Sequence, residues 1–178
     1  MAESWAPQLQ RWLHKYSGIV PIATLVGFGC KRRDAYRLGE SDDFEIIMPG
    51  ILRSTHRPLG PMQLMTAACF RNPKALVAYT TAAMLWRFRG LPADDGQVHI
   101  LVPHGRTPSM PGVVVTQCRL ISDVDIVYRK DGIRVTRSVD AVCARRRRLL
   151  AGPSAAQLGA ADRYSTMTGT DVTTVLGR

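Results

Sequence analysis

Four basic side chains crowd into seven residues behind a glycine-rich turn, in the stretch "GFGCKRRDAYRL". The basic residues are Lys31, Arg32, Arg33 and Arg37, and Tyr36 lies among them. Arginine presents a planar fork of donors that fits the O6 and N7 atoms of guanine in the major groove, and lysine neutralises phosphate. On a helix, Arg33 and Arg37 share the outer face because they lie four residues apart. This is the chemistry of nucleic-acid recognition, and the simpler alternative is a solvated amphipathic helix.

Three further basic side chains follow the next apolar segment. They are Arg53, His56 and Arg57. Their position suits them to grip backbone phosphates or to enter a minor groove. The same residues are equally consistent with an ordinary basic linker, and the sequence leaves both interpretations open.

Acidic side chains limit where this region can approach DNA. Asp34 interrupts the first basic run, and we expect it to pair with a neighbouring arginine or to accept a hydrogen bond from a cytosine amino group. Four more carboxylates precede the second basic group, and they are Glu40, Asp42, Asp43 and Glu45. Their edge of the molecule is expected to stay farther from phosphate.

A second concentration of positive charge lies much later in the chain, in "ARRRRLL". Residues 129–148 hold eight basic and two acidic side chains, whereas residues 1–60 hold eight and six. The consecutive arginines are Arg145, Arg146, Arg147 and Arg148. On a helix they point in different directions, so they create a strong local field rather than a tidy row. We expect a second phosphate-contacting patch here, with a solvated helix or a docking surface for an acidic protein as alternatives.

Residues that could carry catalysis do not form a recognised pattern. The four histidines lack zinc-ligand spacing, and no phosphate-binding glycine loop or nucleophile elbow is present. The four cysteines are at least 25 residues apart and contain no C-x-x-C unit, which favours plain thiols. We therefore expect no enzymatic activity, no metal and no cofactor.

Composition indicates a globular protein with a polyanionic partner. The chain has 178 residues, 46% hydrophobic, with a formal net charge of +10 and a pI near 10.1. No apolar run approaches 18 residues, and no basic start is followed by an apolar block. We expect a cytoplasmic, nucleoid-associated protein that binds double-stranded DNA and no membrane.

The elements that must position the first basic run follow from periodicity. Residues 8–16 carry one apolar stripe and are predicted to be helical, and Pro21 is placed to begin a second, short helix. A third helix is predicted over residues 30–38. Two short strands then surround a turn at Pro49 and Gly50. Residues 1–58 are therefore predicted to form a winged helix-turn-helix.

From Pro61 the pattern changes to that of a small mixed α/β domain. Two helices are predicted first, the second capped by Thr80 or Thr81. Four β-branched runs follow and predict four strands, and a last helix is predicted from Ser138. The overall class is α+β, with the winged helix at 1–58, the α/β domain at 59–148 and a weakly helical tail at 149–178.

Several of these segments resemble the AbiEi-type family of antitoxins and transcriptional regulators, which belongs to type IV toxin–antitoxin systems. The matching pieces are "MPGILRS" after the third helix, "QLMTAACF", "AYTTAAMLWRFRGLP", "VHILVP" and "GIRVTRSVDAVC". The resemblance covers about residues 8–145. It implies an amino-terminal domain that represses the protein's own promoter and a second domain that opposes a nucleotidyltransferase-like toxin.

The resemblance also leads us to expect that this chain lacks the endonuclease-like carboxy-terminal domain of larger relatives, because it ends at Arg178. The sequence thus predicts a DNA-binding repressor, in the form of an autoregulating antitoxin. The alternative is a protein-interaction module that neutralises a toxin through its second domain without specific DNA readout. The sequence leaves the oligomeric state and the existence of a cognate toxin open.

Overall fold

The computed structural model describes residues 5–88, 96–105, 109–118 and 123–137. Within these ranges the chain is a mixed α+β protein with five α-helices and two β-sheets, in agreement with the predicted class at that level. None of the helices in the described ranges is both long enough and apolar enough to span a membrane. The predicted helix from Ser138 and the predicted tail at 149–178 lie outside the described residues.

The amino-terminal part of the described chain, residues 5–54, is called the first half below; it forms a small sheet and three helices. Its elements are α1 (Ala6–Lys15), β1 (Ile19–Pro21), α2 (Ile22–Gly27), α3 (Arg32–Leu38), β2 (Phe44–Met48) and β3 (Ile51–Ser54). Helix α1 is followed by a turn in which Ser17 has a φ of 55° and Gly18 a φ of 81°, and the N–H of Gly18 donates to the carbonyl oxygen of Leu13 at 2.8 Å. The three helices confirm the predicted number, with ends shifted by one or two residues.

The three strands of the small sheet are antiparallel in the order β1-β3-β2. The predicted hairpin is confirmed, and Gly50 takes a φ of 78° at its turn. Strand β1 was not predicted. The expectation that Pro21 begins the second helix is wrong, because Pro21 is the last residue of β1, opposite Ile51, and α2 begins at Ile22.

The described residues from Pro61 to Arg137 are called the second half below; they form a large sheet of five strands and two helices. Its elements are α4 (Pro61–Arg71), β4 (Leu76–Val77), α5 (Tyr79–Leu85), β5 (Val98–Pro103), β6 (Val113–Cys118), a 3-10 turn (Asp123–Asp125), β7 (Ile126–Tyr128) and β8 (Arg134–Thr136). The order is β6-β5-β4-β8-β7, and β5 with β6 and β4 with β8 are the parallel pairs. Strands β5 to β8 are the four that the sequence predicts.

The prediction that Thr80 or Thr81 caps the second of these helices is wrong. Helix α5 begins at Tyr79, so both threonines lie inside it. Thr81 is buried, and its Oγ1 accepts a hydrogen bond from the backbone N–H of His99 at 2.9 Å. The hydroxyl therefore joins α5 to β5 instead of satisfying the start of its own helix.

Helix α4 lies between the two sheets and shares a core with both. Residues of the small sheet, among them Ile19, Met48 and Ile51, pack in one buried cluster with α4 and the large sheet. Aromatic rings add to this junction, since the ring of Phe70 lies 5.9 Å from that of Trp12 and 5.3 Å from that of Tyr16. The described part of the chain thus has a core that continues across residue 58.

Candidate nucleic-acid interface

Helix α3 separates its side chains cleanly between core and solvent. Ala35 is fully buried, and Leu38 packs beside it against the core of the first half. The five predicted contact residues on this segment are all exposed: Lys31, Arg32, Arg33, Tyr36 and Arg37. Tyr36 keeps 40% of its surface accessible. The structure therefore brings the first predicted basic group together on one outward surface.

The backbone around α3 explains this orientation. Gly29 takes a φ of 100° in the preceding turn, and the N–H of Cys30 donates to the carbonyl oxygen of Leu25 at 3.1 Å. The buried Cys30 side chain anchors the turn, and Lys31 then has extended backbone before the helix begins. The basic side chains are thereby carried on an element that is fixed at its start.

The end of α3 is pressed against the hairpin at a glycine. Gly39 is the residue directly after α3, and its φ of −70° is one that any residue adopts. Its need for a glycine comes from proximity, since a Cβ there would lie 2.6 Å from Cγ1 of Ile46 and 2.9 Å from Cδ2 of Leu52. Close approach to β2 and β3 therefore sets the position of α3.

The basic side chains on α3 and at its N-cap have no ion-pair or hydrogen-bond partner in the described part of the chain. Within the described residues, no hydrogen bond or ion pair engages the side chains of Lys31, Arg32, Arg33 or Arg37. The expected pairing of Asp34 with a neighbouring arginine is not found in this part of the chain either, and Asp34 is half-buried in the first turn. The positive charge of this surface is consequently available to an external anion.

The second predicted group is placed differently. Arg53 is buried, with only 9% of its surface exposed; its Nε donates to Oε1 of Glu45 at 2.6 Å and its Nη1 to the carbonyl oxygen of Arg57. His56 is exposed, with Nε2 3.5 Å from Oδ1 of Asp43, and Arg57 is also exposed. The guanidinium expected to grip phosphate is thus used inside the protein, because Glu45 stands opposite it across the strands.

These three residues lie away from the hairpin turn. The pairing of Phe44 with Ser54 marks the end of β3 that is far from the turn. Arg53 lies next to that end within the strand, and His56 and Arg57 follow it, beside the acidic loop after α3. The turn itself, at Pro49 and Gly50, carries no charge, and the Gly50 carbonyl oxygen accepts from the N–H of Ile22 at 2.9 Å. The side of this region that favours a polyanion is therefore the exposed surface of α3.

Some basic side chains in and next to the large sheet make ion pairs or hydrogen bonds within the protein, and others are exposed. Arg129 pairs with Asp131, with Nη2 2.8 Å from Oδ2. Arg134 donates to the carbonyl oxygens of Cys69 and Asn72 at the end of α4 and of Ala75 just before β4. Lys130 and Arg137 are exposed. The predicted patch at Arg145, Arg146, Arg147 and Arg148 lies outside the described residues.

The described part of the chain also contains side chains of the types that bind metal ions or act as nucleophiles. Among the residues that the structure describes, no three His, Cys, Asp or Glu side chains come together in a way that would hold a metal ion. Burial raises the pKa of the Cys69 thiol above its ordinary value, which keeps it protonated and unreactive at neutral pH.

The sequence matches no protein-family model, and it matches no curated protein. The exposed cations of α3 and their placement on a fixed helix are thus the observations on which a function must rest.

Proposed function

We propose that the protein is a sequence-specific double-stranded-DNA-binding transcriptional regulator that acts as a repressor. The observation that carries this proposal is the surface of α3, where the side chains of Lys31, Arg32, Arg33 and Arg37 are exposed and uncommitted while Ala35 is buried. A short helix with one buried face and one cationic face has the dimensions and the donors to enter a major groove.

The order of elements supports the winged helix-turn-helix form of this proposal. Helix α1, strand β1, helices α2 and α3, and the β2–β3 hairpin follow one another, and α3 occupies the recognition position. The hairpin turn at Pro49 and Gly50 is short and uncharged. The wing in this proposal therefore contributes shape, and the cations of α3 supply the affinity.

The roles of the α3 side chains follow from their chemistry. Lys31 and Arg32 neutralise phosphates and release counterions, which supplies affinity without sequence information. Arg33 and Arg37 lie on one helix face and make bidentate contacts to guanine. Bound protein then blocks RNA polymerase by occupancy. The resemblance to AbiEi-type proteins adds that the site lies in the protein's own promoter and that the protein is an antitoxin.

The decisive experiment compares substitutions on α3 with a matched substitution elsewhere. A binding site would be selected from random double-stranded DNA, and affinities for the selected and scrambled sequences would be measured by fluorescence anisotropy. Arg33→Ala and Arg37→Ala should each weaken specific binding by about 1–3 kcal/mol and relax the base preference at one position. Lys74→Ala removes one exposed positive charge from the second half of the chain and should leave the preference unchanged.

Two results would overturn this assignment. Selection that recovers no sequence above background would remove specific recognition. Equal weakening of specific and scrambled DNA by Arg33→Ala and Arg37→Ala would reduce α3 to a phosphate contact. In either case the circular dichroism spectrum of each variant must match that of the parent protein, so that unfolding is not mistaken for lost contacts.

We further propose that residues 145–148 widen the DNA footprint. Changing Arg145, Arg146, Arg147 and Arg148 to Gln should flatten the slope of log affinity against log salt by about one unit for each lost phosphate contact. The base preference set by Arg33 and Arg37 should remain. An unchanged salt slope would reject this footprint and favour an acidic protein as the partner of the arginine run.

A second candidate function is toxin neutralisation through the large sheet. The observation that favours it is a pair of exposed large side chains at the two ends of β7. Val124, in the 3-10 turn before the strand, is 66% exposed, and Tyr128, its last residue, is 70% exposed. Exposed aromatic side chains are frequent anchors in protein interfaces. Co-purification with the product of the neighbouring gene, lost on Tyr128→Ala and kept on Arg33→Ala, would support this function over DNA binding.

A further inference from the structure

The end of the small sheet that lies opposite the hairpin turn has an acidic segment on one side and the end of α1 on the other. Strand β3 finishes there at Ser54. The N–H of Thr55 donates to the carbonyl oxygen of Asp43 at 2.9 Å, and its Oγ1 donates to that of Asp42 at 2.5 Å. The N–H of Ser54 donates to the carbonyl oxygen of Gly18, just beyond α1, at 2.9 Å. The acidic loop after α3 and the end of α1 therefore flank the end of β3.

The connection between β3 and α4 crosses from the acidic loop to the end of α1. It begins beside the acidic loop and ends at Gly60, whose N–H donates to Oε1 of Gln63 at 3.1 Å. Nε2 of Gln63 donates to the carbonyl oxygen of Ser17 at 3.1 Å, which fixes this end of the connection next to α1. Leu59 in the connection is 47% exposed, and Met62 at the start of α4 is 36% exposed. Two large apolar side chains thus meet solvent at this end of the sheet.

Basic side chains lie on the α1 side of this apolar pair. Lys15 is exposed, and its Nζ lies 5.0 Å from the centre of the Tyr16 ring. The turn between β7 and β8 packs against the same ring, since a Cβ at Gly132 would lie 3.0 Å from Cε1 of Tyr16. Lys130 of that turn is exposed, and the carboxylate in the turn is paired with Arg129. Neither lysine has a carboxylate partner in the part of the chain that the structure describes.

Carboxylates dominate the other side. The side chains of Glu40 and Asp42 are exposed, and within the described ranges they have no ion-pair or hydrogen-bond partner. Oδ1 of Asp43 lies 3.5 Å from Nε2 of His56, and Arg57 is exposed nearby. Among the exposed side chains, three carboxylates therefore stand against one arginine, and with a neutral histidine this side is acidic.

We refer to these groups together as the sheet-end surface. It has an apolar centre, a basic side and an acidic side, which are, in that order, Leu59 and Met62, then Lys15 and Lys130, then Glu40, Asp42 and Asp43.

We propose that the sheet-end surface binds the same surface of a second copy of this chain, across a two-fold axis close to Leu59. The rotation places Lys15 of each copy opposite Asp42 of the other and brings the apolar side chains together at the centre. An apolar centre with a polar rim is the usual construction of a protein interface.

The charge pattern selects a second copy as the occupant. A nucleic acid is negative along its whole length, so its phosphates would meet Glu40 and Asp42 as well as the lysines. A uniformly acidic protein surface would be repelled by the same carboxylates. A second copy carries both charges in the required arrangement, because an isologous contact sets each group against its complement.

This self-association does not depend on DNA binding. Its measurements are made without DNA, so their failure would leave the proposed role of α3 intact. Loss of sequence-specific DNA recognition would, in turn, leave the dimer intact. If α3 binds DNA as proposed, each dimer carries two recognition helices.

Charge reversal tests the two sides of the contact. In sedimentation equilibrium, Lys15→Glu and Asp42→Lys should each raise the dimer dissociation constant by about tenfold or more, because each places like charges face to face. Arg137→Glu is the matched control for Lys15→Glu, since it changes the net charge equally. Arg137 is exposed and follows the end of β8 that is farther from the β7–β8 turn, so this variant should dimerise like the parent.

Mixing the two reversed variants identifies the pairing. An equimolar mixture of Lys15→Glu and Asp42→Lys chains should recover dimers, because positions 15 and 42 then carry opposite charges at both places where they meet. A single chain with both substitutions should also dimerise. This recovery is specific to a contact in which position 15 of one copy meets position 42 of the other.

The apolar centre is tested separately. Leu59→Ser should raise the dimer dissociation constant by about tenfold, because the exposed part of this leucine is buried only in the dimer. Val124→Ser is the control, since Val124 is also exposed but precedes the end of β7 that is farther from the β7–β8 turn. The circular dichroism spectrum of each variant must match that of the parent.

Two outcomes would overturn the proposal. One is a parent protein that stays monomeric at every concentration. If its affinity for scrambled DNA also falls on Lys15→Glu, the lysines belong to a phosphate contact instead. The other is a parent that dimerises equally well with Lys15→Glu, Asp42→Lys or Leu59→Ser, which would assign the dimer to another surface.

Discussion

Arginine has opposite roles on helix α3 and at the start of strand β8. On α3, Arg32, Arg33 and Arg37 stand in solvent without partners among the described residues, so their charge faces outward. In the large sheet, Arg134 of β8 donates to three carbonyl oxygens, at the end of α4 and in the turn between α4 and β4, and so stabilises the fold. The comparison teaches that a count of basic residues predicts charge, whereas the availability of that charge depends on which backbone carbonyls and carboxylates lie within reach.

The two halves are also unequal in their independence. The small sheet contributes Ile19, Met48 and Ile51 to a cluster that it shares with α4, so part of its core belongs to the other half. A chain that ends at residue 58 exposes these side chains. Each is worth roughly 1.5–3 kcal/mol of burial, and the loss is comparable with a whole domain's stability of about 5–15 kcal/mol.

The largest expected effect is therefore that a fragment of residues 1–58 does not fold by itself. Its thermal unfolding, followed by circular dichroism, should show no cooperative transition, and its amide resonances should be poorly dispersed. A fragment extended to residue 137 is the matched control. A cooperative melt of the short fragment near that of the intact protein would show that the shared cluster is dispensable.

The second effect concerns Arg134. Arg134→Ala should lower the free energy of unfolding by about 2–4 kcal/mol, because charged hydrogen bonds are lost and the carbonyl oxygens at the end of α4 are left without them. Arg137→Ala removes an exposed arginine three residues away and should change stability by less than about 0.5 kcal/mol. Chemical denaturation of both variants gives the comparison, and equal destabilisation would contradict it.

The third effect tests whether Gly39 is required because Ile46 and Leu52 pack close to it, or because it ends helix α3. Gly39→Ala should destabilise the protein by about 1–3 kcal/mol, because the added methyl group meets Ile46 and Leu52 at less than contact distance. Gly27→Ala is the control, since a Cβ there meets nothing within 4 Å. The control should be neutral or slightly stabilising in a helix. An unchanged melting temperature for Gly39→Ala would show that the hairpin yields freely.

The smallest effect is a pH dependence from Cys69. Because burial raises the pKa of this thiol in the folded protein, the unfolded chain loses the proton first as pH increases. The protonated Cys69 thiol makes its full contribution to the free energy of unfolding below the ordinary thiol pKa. This contribution decreases as pH rises above that value, by about 1.4 kcal/mol per pH unit. Unfolding free energies between pH 8 and 10 should therefore fall more steeply for the parent than for Cys69→Ala.

Much of the fold is predictable from local patterns, for physical reasons that can be assigned to particular elements. Alternating β-branched runs and the turn at Pro49 and Gly50 predict the hairpin and strands β5 to β8. Strand β1 has three residues ending in a proline, so it shows no period and is defined only by its pairing with β3. The start of α5 escapes prediction because Thr81 serves β5 instead of capping its own helix.

In the candidate site, too, some features can be predicted from local sequence patterns and others cannot. The outward face of α3 follows from the four-residue spacing of Arg33 and Arg37 and from the small, buried Ala35. The burial of Arg53 and the use of Arg134 depend on partners distant in sequence or across a strand, and no local pattern shows them. Gly39 is another such case, because its constraint comes from the side chains of Ile46 and Leu52.

For protein engineering, the sharing of α4 between the sheets decides how a recognition surface can be exchanged. Transplanting the whole first half from another protein would have to recreate the fit of Ile19, Met48 and Ile51 against α4. Redesign of the solvent-facing positions of α3 leaves that fit untouched, provided that Ala35 and Gly39 stay small. Under the proposed function, a combinatorial library restricted to residues 31–33, 36 and 37 is therefore the route to a new DNA preference that does not require rebuilding the core.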